Sequence, residues 1–312
     1  MGKFILKRIG QLILSLFIAS ILVFIFVRLS DTDPVAVILG GKQTSQETIQ
    51  AIKEKFNLDK PLFQQYILWI DGLFHGDLGL SFKYQTSINE LIGPRILTTL
   101  GLVSASSVIA LVIAIPLGIF CAVKKHTLWD RAGSIFSLIL AGCPSFFVSI
   151  LLILLISAVA PTYPFTGTYA NFAEYCQRLF VPSLALACTM IALASRVMRS
   201  SMIDQINAPY TMTAVAKGVP QSRILFKHNM KNAVIPVIAI VSIQIGSMVV
   251  GAVLVENVFS LSGLGSFLVD SITSSDYAVV QDITIMLVFL FLVISTLADI
   301  IYAAIDPRIR LK

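Results

Sequence analysis

The sequence predicts an all-α, polytopic integral membrane protein. It would have six transmembrane helices, both termini cytoplasmic, and a small helical extracytoplasmic segment between the first two. Three observations carry this. Hydrophobic residues make up 56% of the 312-residue chain and charged residues only 13%, with a mean hydropathy of +0.87. Six apolar runs, at 9–28, 97–123, 133–160, 180–197, 234–256 and 281–303, approach or exceed the roughly 20 residues that cross a hydrocarbon core as helix. The basic residues also segregate. With the amino terminus inside, the inner segments and span ends hold fifteen Lys and Arg against four acids, and the outer ones eight bases against thirteen acids. The net charge of +6 therefore reflects orientation in a membrane, with lipid as the surrounding partner and no nucleic acid.

Residues 1–8 are a short basic lead with Lys3, Lys7 and Arg8. The run at 9–28 is longer than a signal-peptide core and has no small-residue cleavage site after it, so it reads as a retained first span. Segment 29–95 is extracytoplasmic and helical. Thr44 and Glu47 form a capping-box pattern ahead of Ile49, Ile52 and Phe56. Asp59 and Pro61 suit a second helix start, with Leu62, Tyr66, Trp69 and Leu73 on one face. Gly76, Asp77 and Gly79 form the turn that ends it, and Ser87 with Glu90 offers a further cap. A unit of this size without disulfides is marginal alone, so it is expected to rest on the spans or on a partner.

Residues 96–303 then form the transmembrane core, followed by a tail at 304–312. Pro116 and Pro144 predict kinks in the second and third spans. Tyr163, Phe165, Tyr169 and Tyr175 suit an interfacial aromatic belt. In the fifth span Ser242 with Gly246, and Ser247 with Gly251, form two small-x-x-x-small pairs. They predict a close helix contact, within the chain or between subunits. Asp299, near the inner end of the last span, is expected to pair with Arg196, Arg199 or Arg308.

The inner segment 198–233 is the longest polar stretch between spans. Alanines ahead of Gly218 favour helix, Gly218 and Pro220 punctuate it, and Arg223, Lys227 and Lys231 recur at helical spacing on one face. The pattern predicts helix, sharp turn, helix. A lipid-facing basic loop accounts for the bases but not for Ala214-x-Ala216-Lys217-Gly218 followed by Pro220.

Catalytic and energy-coupling motifs are absent from the sequence. It contains no G-x-x-x-x-G-K-[ST] phosphate loop and no H-E-x-x-H, G-x-S-x-G or zinc-ligand spacing. His75, His126 and His228 stand apart, and Cys121, Cys143, Cys176 and Cys188 include no C-x-x-C. A chain that spans the membrane with no energy source of its own is a channel, a secondary carrier, or a subunit of a machine powered by another chain. The length of the inner loop favours the last.

In that setting an ordered set of residues resembles one family. It comprises Asn57-Leu-Asp-Lys-Pro61, Gly76-Asp-Leu-Gly79, Pro144-Ser-Phe146 and Arg196 through Met202. It continues with the loop from Tyr210 through Gly218 to His228 and Pro236, then Glu256-Asn-Val-Phe259, Gly263-Leu-Gly265, Asp276-Tyr277 and Asp306-Pro-Arg-Ile-Arg310. The chain resembles permease subunits of ATP-binding-cassette importers, in the dipeptide/oligopeptide/nickel permease family. It departs from that pattern in having Met212 and Thr213 where the generic loop begins with an acid, and Leu261-Ser262 where a proline is usual.

The resemblance implies a non-catalytic subunit of an ATP-driven importer of peptides, or alternatively of nickel or a metal chelate. Its implied partners are a second homologous permease, two cytoplasmic ATP-binding subunits and an extracytoplasmic solute-binding protein. No cofactor or metal would be bound by this chain, ATP and Mg residing on the ATPases. Thr211, Thr213, Ala214, Ala216, Lys217, Gly218, Pro220, Arg223 and His228 would form the coupling loop. Asp59, Pro61, Gly76, Asp77, Gly79, Gly263 and Gly265 would face the binding protein.

Overall fold

The computed structural model describes residues 2–29, 33–40, 44–165 and 171–305, all helix and connecting loop apart from one isolated bridge between Leu80 and Ser87. Tyr169, Asp306, Arg308 and Arg310 lie outside the described residues. Five helices are long and apolar enough to cross a membrane, and a bent pair brings the number to as many as six.

Helix α1 (Gly2–Arg28) is followed by three short helices, α2 (Pro34–Leu39), α3 (Gln46–Lys55) and α4 (Leu62–His75). The cap of α3 is Ser45, whose hydroxyl accepts from Thr48 N, and not the expected Thr44 with Glu47. Ser45 is the residue in extended conformation, so it supplies the side-chain acceptor. Pro61 precedes α4 as expected, and Gly76, at φ 74°, closes it by bonds to the Gly72 and Leu73 carbonyls. At Ser87 the backbone fits a cap but its side chain makes no capping bond.

Helix α5 (Ile88–Val123) runs unbroken through Pro94 and Pro116. The third apolar run is two helices, α6 (Leu128–Gly142) and α7 (Ser145–Val159), bent by 109°. Pro144 disfavours the helical conformation at the residue before it, and Cys143 is extended at φ −92°, ψ 119°. What the sequence predicts as a kinked span is a broken one.

Helix α8 (Phe172–Ile206) is 35 residues long, where the sequence shows an apolar run of only 180–197. It is the interior helix, with 67% of its best apolar window buried inside the protein against 11% for α1. A helix shielded by its neighbours needs less uniform hydropathy than one facing lipid, which shortens its signal in the sequence. Its Ala185, Met190, Ala194 and Met198 pack with Leu102, Ala110 and Ala114 of α5. At Gly118 of α5 a Cβ would stand 2.6 Å from that of Met198, so only glycine permits the contact.

Six further segments complete the chain. They are α9 (Pro209–Ala216), α10 (Gln221–Arg223), a π-helical stretch (Ile224–Asn229), α11 (Met230–Val258), α12 (Leu264–Thr273) and α13 (Tyr277–Ile305). Gly246 faces α13, where a Cβ would meet Ser295 Oγ at 2.4 Å, and Ser242 packs on the same side. That small-residue pair is therefore an internal contact. Ser247 is exposed, while Gly251 abuts Leu186 of α8.

Polar contacts, several of them buried, fasten the two ends of this bundle. At the end bearing 29–95, fully buried Glu256 accepts from Thr99 Oγ1 (2.6 Å), Gly265 N (2.7 Å) and Ser266 N (3.2 Å). Gly263, the residue before α12, has no side chain with which to cap it; the Glu256 carboxylate does so from α11. Equally buried Asp276 accepts from Ser81 Oγ, Phe82 N and Lys83 N, tying the 29–95 unit to the start of α13. At the opposite end Asp130 takes a bidentate bond from Arg199 at 2.5 and 2.7 Å. Asp299 pairs with Arg8 at 3.1 Å, not with Arg196 or Arg199. The first helix packs along the last, and Arg199 is already taken by Asp130.

Replacing Glu256 by Ala strands three donors in a buried junction and is expected to cost roughly 3 kcal/mol. The thermal unfolding midpoint of the detergent-purified protein should fall accordingly, and an unchanged midpoint contradicts the capping role.

Candidate functional site

The most distinctive local geometry lies at the end opposite the 29–95 unit, where α8 turns into α11. After Asn207 the chain re-enters helix with Pro209 at the first turn of α9, where its missing N–H is no loss. The helix stops at Gly218, which has φ 74°. There Gly218 N bonds the Val215 carbonyl (2.9 Å) and Val219 N the Ala214 carbonyl (3.2 Å). This is a Schellman ending, and glycine is required for the left-handed φ. Nothing in the chain lies within 4 Å of a Cβ placed at Gly218, so internal crowding is not the reason. Pro220 then opens α10, which runs through the π-helical stretch into α11 without a break.

The elbow is held rigidly to both helices it connects. Thr211, 6% exposed, has its hydroxyl 2.8 Å from the Gln205 carbonyl oxygen and 2.8 Å from the Asn229 side-chain oxygen. The Tyr210 hydroxyl donates to Gln205 Oε1 (2.7 Å) and accepts from Asn232 Nδ2 (3.3 Å). Gln205 belongs to α8, while Asn229 and Asn232 lie on the helix leading out. Asn229 is nearly fully buried on the π-helical stretch, whose wider turn inserts an extra residue. Helix α9 is therefore tied both to α8 and to the helix leading into α11.

Of the residues singled out in the sequence, Thr211 is an internal latch. Thr213, Ala216, Lys217, Gly218, Pro220, Arg223 and His228 are exposed, and Ala214 is half-buried. Between them Met212 and Val215 stand 64% and 54% exposed, forming an apolar knob on α9. The sequence reading passed over Gln205 and Asn229, and named Tyr210 only as the start of the loop. Their only sequence signal is polar side chains near the turn.

At the far end Asp59, Pro61, Gly76, Asp77 and Gly79 are exposed on the 29–95 unit. Gly263 and Gly265 are buried instead. Cβ atoms there would stand 2.2 Å from the Glu256 carboxyl and 2.3 Å from Val253 Cα. They shape the junction from within. Along α11, Ile243, Ser247, Val250, Leu254 and Asn257 are exposed at alternating spacings of four and three and form a continuous seam along one side of the helix. Among the described residues no group of three or more His, Cys, Asp or Glu is placed to hold a metal ion.

Comparison with known proteins places this geometry in context. Residues 114–311 match the family model described as binding-protein-dependent transport system inner membrane component. Residues 1–103 match the N-terminal model for membrane components of the same systems. Over 338 residues the chain is 31% identical to the dipeptide transport system permease protein DppB of Escherichia coli K12, covering 100% of both chains. It is 34% identical over 312 residues to the glutathione transport system permease protein GsiC of the same strain, again over 100% of each.

Removing the Thr211 hydroxyl in Thr211→Val should loosen α9 by about 1 kcal/mol, a roughly fivefold rise in amide exchange confined to 209–219. Hydrogen exchange of the protein in nanodiscs reads this, and an unchanged elbow contradicts the latch.

Proposed function

The chain belongs to the family of inner membrane components of binding-protein-dependent transport systems, and from that membership we propose that it is one of two permeases in a peptide importer. As a permease subunit of an ATP-binding-cassette importer it is a non-catalytic, multi-pass protein of the cell membrane, working with ATPase and substrate-binding partners.

The proposed assembly has a second, homologous permease against the exposed α11 seam and two ATPases carrying ATP and Mg. A solute-binding protein docks on the 29–95 unit. The distribution of bases supports placing the elbow in the cytoplasm, where the Met212–Val215 knob seats in an ATPase groove. ATP binding closes the ATPase pair, the knob moves with it, and the latched elbow swings α8 and α11 so that the pathway between the permeases opens on alternate sides. ATP drives this by binding one state better than the other. The observation that carries the proposal is the two-sided latching of α9, since a chain without a phosphate loop must receive its energy mechanically. The names of the dipeptide and glutathione relatives support a peptide-like substrate.

Gly218→Trp cannot take the left-handed φ without strain and puts a bulky ring beside the knob. In proteoliposomes holding the full transporter, uptake of labelled trialanine should fall at least tenfold while the variant inserts normally. Wild-type uptake by a well-inserted variant rules out the elbow as the coupling site.

A further inference from the structure

Helix α4 belongs by sequence to the extracytoplasmic unit, yet its contacts set it at the level of the spans. The Tyr66 hydroxyl lies 2.9 Å from Ser20 Oγ, and the Phe24 ring packs against those of Tyr66 and Trp69 at centroid distances of 5.2 and 6.1 Å. Gln65 Oε1 accepts from Arg28 Nη2 at 3.1 Å, and Trp69 Nε1 donates to Asp282 Oδ1 at 2.7 Å. Ser20, Phe24 and Arg28 occupy the last turns of the apolar run 9–28, and Asp282 the first turn of the run 281–303. At a rise of 1.5 Å per residue, Ser20 sits about 12 Å deeper along α1 than Arg28. Helix α4 is therefore tied to α1 and α13 at the outer boundary of the hydrocarbon, not above it.

Its residues divide into three faces at the helical period. Gln65, Tyr66 and Trp69 face the spans. Gln64, Asp71 and His75, all exposed, form a polar face. Between the two runs a stripe of Phe63, Ile67, Ile70 and Phe74, at spacings of four, three and four. Phe63 and Phe74 are 73% and 86% exposed, Ile67 is exposed and Ile70 half-buried, and no polar side chain interrupts them.

Four large apolar side chains are costly to hold in water and are at home in hydrocarbon. An apolar stripe beside a polar face is the division of a helix lying in the plane of the membrane surface, its apolar side sunk about 5–10 Å into the acyl boundary. Over the same stretch α1 exposes Ile18, Leu22 and Ile25, a surface that the length and hydropathy of that span already assign to lipid. The stripe on α4 continues that surface at the same depth. A soluble protein that docks and departs returns such a patch to water each time, whereas lipid covers it throughout.

We propose that α4 is an interfacial helix seated in the outer leaflet, with Phe63, Ile67, Ile70 and Phe74 among phospholipid acyl chains. The leaflet and the contacts to α1 and α13 together hold the 29–95 unit at a fixed height on the membrane. Its polar face, with Gln64, Asp71 and His75, is then the side of α4 turned to the aqueous phase, where a solute-binding protein arrives. The assignment is independent of which solute is imported.

The test uses the complete transporter with its ATPases in nanodiscs containing a phosphatidylcholine that carries a diazirine near the ester end of its acyl chain. After irradiation, lipid adducts are mapped by mass spectrometry, with Leu22 and Ile25 of α1 as the internal reference. Adducts on Phe63, Ile67 and Phe74 should exceed those on Gln64, Asp71 and His75 at least tenfold. Adding a saturating amount of the transporter's own solute-binding protein should leave that pattern unchanged. In the variant carrying both Phe63→Gln and Phe74→Gln, labelling at Ile67 should fall at least threefold. A labelled reference beside a bare stripe overturns the proposal, as do equal labelling of the two faces and loss of the adducts when the binding protein is added. The measurements on the unaltered complex need no variant to fold.

Discussion

Hydrocarbon offers no hydrogen bonds, so each polar group in the bundle must find its partner within the protein. That constraint sorts the chain. The strongest polar contacts gather at the two ends of the helices, and the middle is left to alanine, leucine, methionine and close glycine contacts. Glu256 and Asp276 organise one end, Asp130 with Arg199 and Arg8 with Asp299 the other. Each joins elements far apart in sequence, so the bundle is fastened across its helices at both ends.

Within that frame the interior helix α8 has a special position. It packs on α5, α6, α7 and α11, and its end continues directly into the elbow. A displacement applied at α9 enters the bundle through its best-packed member. The first helix is the reverse case. It packs on α13, fastened by Arg8 near its start and by Arg28 near its end. It and the 29–95 unit are therefore fastened to α13.

The apolar runs were legible because lipid-facing helices must be apolar throughout, and α1, α5, α11 and α13 read clearly. The run at 133–160 hides a 109° break because hydropathy is blind to direction. Pro144 marked the place, but as a kink within one span. The short run at 180–197 under-reports α8, since burial among other helices relaxes its need for apolar residues. Gly218 was legible as a turn, and its positive φ supplies the reason. Gly263 and Gly265 read as an exposed docking turn in the family pattern, whereas they are the space into which Glu256 fits. Long-range partners such as Asp282 with Trp69 have no sequence signature, because nothing local ties residues 213 positions apart.

The central claim is that force from an ATPase enters at the α9 knob. A photo-reactive phenylalanine analogue at Met212, in the reconstituted transporter, tests this most directly. The account predicts capture of the ATPase subunit, with a yield that changes when ATP is added. Adducts to lipid alone, in a complex that still transports, contradict it.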